Sequence, residues 1–252
     1  MKTKMTKSIY VIFMMLFLTG SMFAQNQNVG INNNGSSPAA SAMLDVSSTT
    51  KGFLPPRMNL DQIYSIQSPA EGLIVYNTIG KFPVYYDGTS WRKMDNTLVD
   101  FGFVIGQLRF GGVIFYIDGT GQHGLISATS DQSYQAQWGC YGTSLPGAYG
   151  TAIGTGNQNT LDIMAGCATT GIAARICGDL VLNGYSDWFL PSKDELNQMY
   201  LQKTAIGSLA NDNYWSSSGF NAFNAWFQGF VNGFQDWGNK DGSAYVRAVR
   251  AF

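Results

Sequence analysis

Charge is what this chain has least of. Only 12% of its 252 residues are charged, against roughly a quarter in an average soluble domain. A formal net charge of −1 leaves no basic footprint, so nucleic acid is not an expected partner. Histidine occurs once, at His123, and cysteine three times, with no pair spaced like a zinc knuckle. No metal and no cofactor are therefore expected. After residue 24 no apolar run approaches the roughly 20 residues of a membrane span. What stands in place of charge is 30 glycines, many asparagines and serines, and 14% aromatics. Such a chain can bury a core, but its surface is neutral and polar, as in loop-rich extracellular proteins.

The first residues point the same way. "MKTKMTK" is a basic leader, and "SIYVIFMMLFLTGSMFA" is an apolar stretch ending at a small residue. Together they predict a signal peptide over 1–24, cleaved after Ala24. Loss of Lys2, Lys4 and Lys7 leaves 12 basic against 16 acidic residues, a mature charge of −4. The expected location is the cell surface or the medium, with no lipid anchor because no cysteine follows the apolar stretch. Export permits one disulfide among Cys140, Cys167 and Cys177, with all three pairings open and one thiol left over.

Residues 25–94 read as a small β module. A polar entry segment leads to "KGFLPPRM", where Pro55 and Pro56 forbid helix. "GLIVYNT" over 72–78 is a strand, and "FPVYYDGTSWRKM" is a hairpin turning near Asp87-Gly88. Residues 95–104 read as a linker. Beyond them, strands are expected over Gly112–Ile117 and Gly124–Ala128. A helix capped by Asn159 or Thr160 follows, then a second with Ile172, Ile176 and Leu180 on one face that stops at Gly184.

"NGYSDWFLPSKDEL" over 183–196 gathers Asp187, Lys193, Asp194 and Glu195 beside Trp188. A catalytic pair of carboxylates would need a nucleophile, a histidine or a metal set nearby, and none is close in sequence. A helix start accounts for the charges more simply. Ser192 and Glu195 have capping-box spacing, and Asp194 and Glu195 suit the positive end of a helix dipole. Asp187 is the remaining charge, and Arg247 and Arg250 are candidate buried partners for it. No catalytic residue is assigned, and a non-enzymatic protein is expected.

Two stretches carry resemblances. The order of "VGI", "MLDVSSTTKGFLPPRM", "GLIVYNT" and "YYDGTSW" over 29–94 resembles an N-terminal module of exported Bacteroidota proteins related to fibre stalks. That resemblance implies projection or oligomerisation of a distal head, as a trimer by analogy. "GYSDWFLPSKDELNQMY", "YWSSS" and "YVRAVRAF", in that order, resemble the Lcl C-terminal domain, close to the Fibrobacter major paralogous domain, over about 105–252. It implies an α+β class: a C-type-lectin-like, or formylglycine-generating-enzyme-like, head with two helices, a small antiparallel sheet and long loops, preceded by the small β module. The calcium–sugar tripeptides of C-type lectins are absent, and no cysteine lies beyond Cys177, so neither calcium-dependent sugar binding nor the formylglycine-generating activity carries over.

The last forty residues suggest where a ligand would sit. Strands are expected over about 213–217, 223–231, 234–238 and 244–250, with a turn at Asn232-Gly233. In the second strand Ala225, Phe227, Gly229 and Val231 face one way, towards a core that also holds Trp215. Asn224, Trp226, Gln228 and Phe230 face the other way. Flat rings stack on sugars or apolar side chains, and neutral amides bond without burying charge. Asn221, Asn224, Trp226, Gln228, Asn232, Gln235 and Trp237 are thus the candidate ligand-binding residues, for a glycan or an extracellular protein. The alternative role is that of a structural subunit of an envelope or fibre, with this surface serving assembly.

Overall fold

The computed structural model describes residues 28–252, so the expected signal peptide lies outside the described residues. Contacts divide the chain at Pro56/Arg57. In the first unit, β1 (Val29–Ile31) and β2 (Leu44–Val46) pair in parallel. Four of their six residues carry large apolar side chains, and all four are exposed: Val29 54%, Ile31 56%, Leu44 52% and Val46 40%. A ladder this short is marginal on its own.

The second unit begins with β3 (Arg57–Met58), α1 (Leu60–Tyr64), β4 (Ile74–Asn77), β5 (Phe82–Tyr86) and β6 (Trp91–Lys93). They form a sheet in the order β3-β4-β5-β6, with only the first pair parallel. At the β5–β6 turn, Asp87 Oδ1 accepts from the amides of Thr89 and Ser90, and Gly88 takes a φ of 93°. The core of this sheet is Ile63, Val75, Val84 and Trp91, joined by Val99 and Phe101. Residues 95–104, read from sequence as a linker, therefore supply side chains to a core. Their alternation of polar and apolar residues fits a spacer or a buried strap equally well.

Two more sheets follow. One has the order β15-β9-β8-β7, built from β7 (Leu108–Arg109), β8 (Gly112–Ile117), β9 (Gly124–Ser127) and β15 (Val249–Ala251). The other has the order β10-β14-β11-β12-β13: β10 (Ser133–Gln137), β14 (Ser243–Val246), β11 (Asn213–Gly219), β12 (Asn224–Gly229) and β13 (Gln235–Asn239). The single strand expected over 244–250 is thus two strands on different sheets. The break falls at Arg247-Ala248, where the Ala248 amide donates to Gln132 Oε1 and Arg247 is drawn inward by Asp131.

Four helices belong to this part, where the resemblance implies two and the sequence signals mark three: α2 (Gly156–Gly166), α3 (Ala173–Gly178), α4 (Lys193–Leu201) and α5 (Lys203–Ile206). The first starts earlier than expected, with Thr155 at the cap position. Asn159 and Thr160 lie inside it because their side chains tie other segments down. Asn159 donates to Gly150 O and Ser217 Oγ; Thr160 Oγ1 accepts from the Leu190 amide. α3 stops at Asp179 rather than Gly184. Near its end it presses on α2, since a Cβ at Gly178 would lie 2.3 Å from Met164 Sδ.

The architecture is mixed α+β, mostly sheet with few short helices. One core holds Trp138, Trp188 and Trp215 with residues of α2 and α3. A second holds Tyr214 and Phe230 with Leu196 and Met199 of α4. The disulfide joins Cys140 to Cys167 with a Cα–Cα distance of 5.9 Å, and Cys177 is a buried free thiol. Of the three pairings open from sequence, this one fastens the loop after β10 to the end of α2. Among the described residues no helix is long and apolar enough to cross a membrane.

Candidate functional site

The charged knot at 183–196 resolves into two structural devices. Ser192 Oγ accepts the Glu195 amide while Glu195 Oε2 accepts the Ser192 amide at 2.7 Å, both halves of a capping box. The other oxygen, Oε1, accepts the Gly154 amide, also at 2.7 Å. The carboxylate therefore sits, fully buried, where α2 and α4 both begin. Burial pushes the Glu195 carboxyl up, and the backbone N–H groups of Ser192, Gly154 and Gly156 oppose that. A Cβ at Gly156 would come 2.2 Å from Oε2, so only glycine fits there.

Asp187 is the second device. Its two oxygens accept from Arg250 Nε and Nη2 at 2.8 and 2.7 Å, a planar bidentate pair. Burial pushes this carboxyl up, but the Arg250 hydrogen bond and charge outweigh it and hold it below the usual aspartate range. The other arginine, Arg247, pairs with Asp131 at 2.8 Å and also donates to Ala128 O and Ser208 O. Trp188 and Trp215 are core residues whose indole N–H groups reach Leu182 O and Ala136 O.

The candidate ligand-binding residues separate into three groups. Asn224 and Gln228 are buried and correct the expectation of a free polar face. Asn224 Nδ2 donates to Asn239 Oδ1, and Gln228 Nε2 donates to Gly233 O. Gln235 Nε2 donates to Lys193 O, which seats α4 against β13. The physical reason is that α4 covers one end of this face, and Phe230 sinks into the core beneath it. The strand alternation was legible, but the helix that caps it belongs to a distant segment.

Asn221 and Asn232 shape turns: Asn221 Oδ1 accepts from the amides of Phe223 and Asn224, and Asn232 Oδ1 from that of Phe234. Val231, expected in the core, is 67% exposed because β12 has already ended at Gly229.

Trp226 and Trp237 remain, and they are brought together. They are direct cross-strand partners on β12 and on β13, which is the sheet's edge. Phe220 completes them, stacked on Trp237 at 5.7 Å and 7° and edge-on to Trp226 at 5.6 Å. Lys193 Nζ lies 4.5 Å from the Trp226 ring centroid. Trp237 is 48% and Phe220 45% exposed. A second exposed pair, Tyr141 and Phe223, packs edge-to-face at 5.2 Å. Sequence reasoning missed Phe220, Phe223, Tyr141 and Lys193. The aromatic–asparagine rhythm of "GFNAFNAW" was a usable signal for the first two. Among the described residues, no group of three histidine, cysteine or acidic side chains converges as a metal site.

Residues 127–250 match the family described as the Lcl C-terminal domain, and residues 30–105 match the phage tail like trimerisation region. A fimbrial protein from Bacteroides ovatus is similar in structure at a TM-score of 0.42 and 12% identity. That match covers 70% of this chain, and the chain spans 60% of that protein's length. No curated protein matches.

Proposed function

We propose that this chain is an exported, surface- or fibre-associated binding protein without catalytic activity. Its head recognises a glycan or an extracellular protein through the face formed by Phe220, Trp226 and Trp237. The observation that carries this reading is the exposure of two large rings, Phe220 and Trp237, stacked on one another at a sheet edge, where a monomer's own packing does not require them. Exposed aromatic clusters suit recognition of sugars or apolar side chains. The Lys193 ammonium over Trp226 adds one positive charge, which favours hydroxyl-rich or weakly anionic partners over cationic ones.

The N-terminal residues present this head as a trimer. The match of residues 30–105 to a trimerisation region supports this, as does the exposure of Val29, Ile31, Leu44 and Val46 on a ladder too small to stand alone. Light scattering on the mature chain tests it: a trimer is expected, and a monomer would remove this part of the reading. Those same exposed side chains favour the second reading, a structural subunit whose head serves assembly only.

A glycan and matrix-protein array probed with the mature chain separates the two. Residues 57–104 should be kept in place, because Val99 and Phe101 complete the core of that sheet. Binding that is lost in Trp237→Ala supports the first reading. Absence of binding by a folded protein removes it.

A further inference from the structure

Away from the aromatic face, residues 57–252 enclose a cleft of about 440 Å³, a size typical of small-ligand sites. The end of α1 and the turn after it, from Tyr64 to Pro69, form one wall. Tyr185, Asp187 and Arg250 form another, with Tyr86 and His123 at the sides. The cleft is pre-formed. The buried amide of Gln122 accepts from the Trp91 N–H and donates to the carbonyls of Trp91 and Val99, locking the walls together. Phe110 and Phe252 stack at 5.5 Å behind Tyr64, fixing the aromatic wall.

The chemistry of the lining is selective. Arg250 lies 4.0 Å from the Tyr185 ring centroid, is only 8% exposed, and gives three N–H groups to Asp187 and to Phe110 O. Its charge is thus matched and largely buried. The Asp187 side chain, by contrast, is 57% exposed, and a carboxylate offers roughly four acceptor positions, of which Arg250 takes two. The hydroxyls of Tyr64, Tyr86 and Tyr185 and the Nε2 of His123 have no hydrogen-bond partner among the described residues. Flat rings, a carboxylate with acceptor capacity to spare and several uncommitted hydroxyls face one space that carries no net charge from its Arg–Asp pair.

We propose that this cleft is a second binding site, distinct from the aromatic face, that takes one neutral pyranose residue of a glycan. The ring of Tyr64 or Tyr185 lies under the sugar's C–H face, Asp187 accepts from neighbouring hydroxyls, and the tyrosine hydroxyls and His123 bond those that remain. An anionic sugar is disfavoured by Asp187, and a cationic ligand by the absence of any second carboxylate in the lining.

The test is a titration of the mature chain with chitotetraose, maltotetraose and, as the anionic comparison, a heparin tetrasaccharide. Saturation-transfer NMR and the emission of Trp91, which borders the cleft, report binding. Saturable binding of a neutral tetrasaccharide is expected, with chitotetraose and maltotetraose distinguishing an acetamido sugar from glucose. Binding should persist in Trp237→Ala and weaken about tenfold in Asp187→Asn. Tyr86→Phe deletes one oxygen that bonds nothing in the protein, so it should weaken binding while leaving the melting temperature unchanged. Failure of both neutral sugars to bind the folded chain, preference for the heparin fragment, or binding insensitive to Asp187→Asn and Tyr86→Phe would overturn the proposal.

Discussion

Glu195 Oε1 accepts the Gly154 amide at 2.7 Å across 41 residues of chain. The same side chain closes the capping box of α4, so one carboxylate fixes the start of that helix and the loop leading into α2. Glu195→Gln puts an amide N–H against a backbone N–H at one of the two contacts. We expect a loss of about 1–3 kcal/mol in urea unfolding, with Ser192→Ala costing about 1–2 kcal/mol because its hydroxyl both caps α4 and donates to Ala152 O. Because the two share one network, the double variant should fall short of the sum.

Lys240 is fully buried, with no carboxylate partner among the described residues; its Nζ donates to Thr143 O and lies 4.3 Å from the Trp138 ring centroid. Burial pushes its amine down to about 8 from 10.5. The folded state then binds fewer protons than the unfolded state between those two values, so stability from this group rises as pH rises through that window. Below about pH 8 the buried charge is a standing cost. Lys240→Met should flatten this slope, which chemical unfolding at pH 7, 9 and 10.5 would reveal.

Asp187→Asn leaves Arg250 nearly buried with half of its partner lost. The carboxylate is largely exposed, so the cost should be modest, about 1–2 kcal/mol by thermal or urea unfolding. Its contribution is present above the ordinary aspartate value and is lost as pH falls through the depressed folded value. Wild type and variant should therefore converge in acid.

Reduction of the Cys140–Cys167 bond, which closes a separation of 27 residues, should cost about 2–4 kcal/mol. Cys177 is fully buried and its thiol is pushed up by that burial. Iodoacetamide should therefore leave it unmodified in the native protein and label it only after unfolding, a count that mass spectrometry reads directly.

Trp237→Ala removes a half-exposed ring stacked only on Phe220. We expect a change in stability within about 0.5 kcal/mol together with loss of array binding, a combination that a purely structural role would not produce.

Local signals were the legible ones. The Ser192–Glu195 spacing revealed a helix start, and the alternation along β12 placed Ala225 and Phe227 on the core side. A residue's partner across the fold was not legible. Nothing near Gln228 announces that α4 will lie on it, and nothing near Arg250 selects Asp187 over Asp131. The cleft was wholly invisible, since Tyr64, His123 and Tyr185 are brought together by three separate segments. Asn159 and Thr160 looked like caps because short polar side chains favour helix starts, yet here they reach sideways from within the helix to other loops.

The split between β14 and β15 has a consequence for how the head closes. Within eight residues the chain places Val246 and Ala248 in one core, Val249 in another, Arg250 in the cleft and Phe252 against Tyr64. Neither of these two cores is complete without this stretch. Loss of residues 246–252 would open two cores and the cleft at once, so the head closes as one cooperative unit rather than segment by segment.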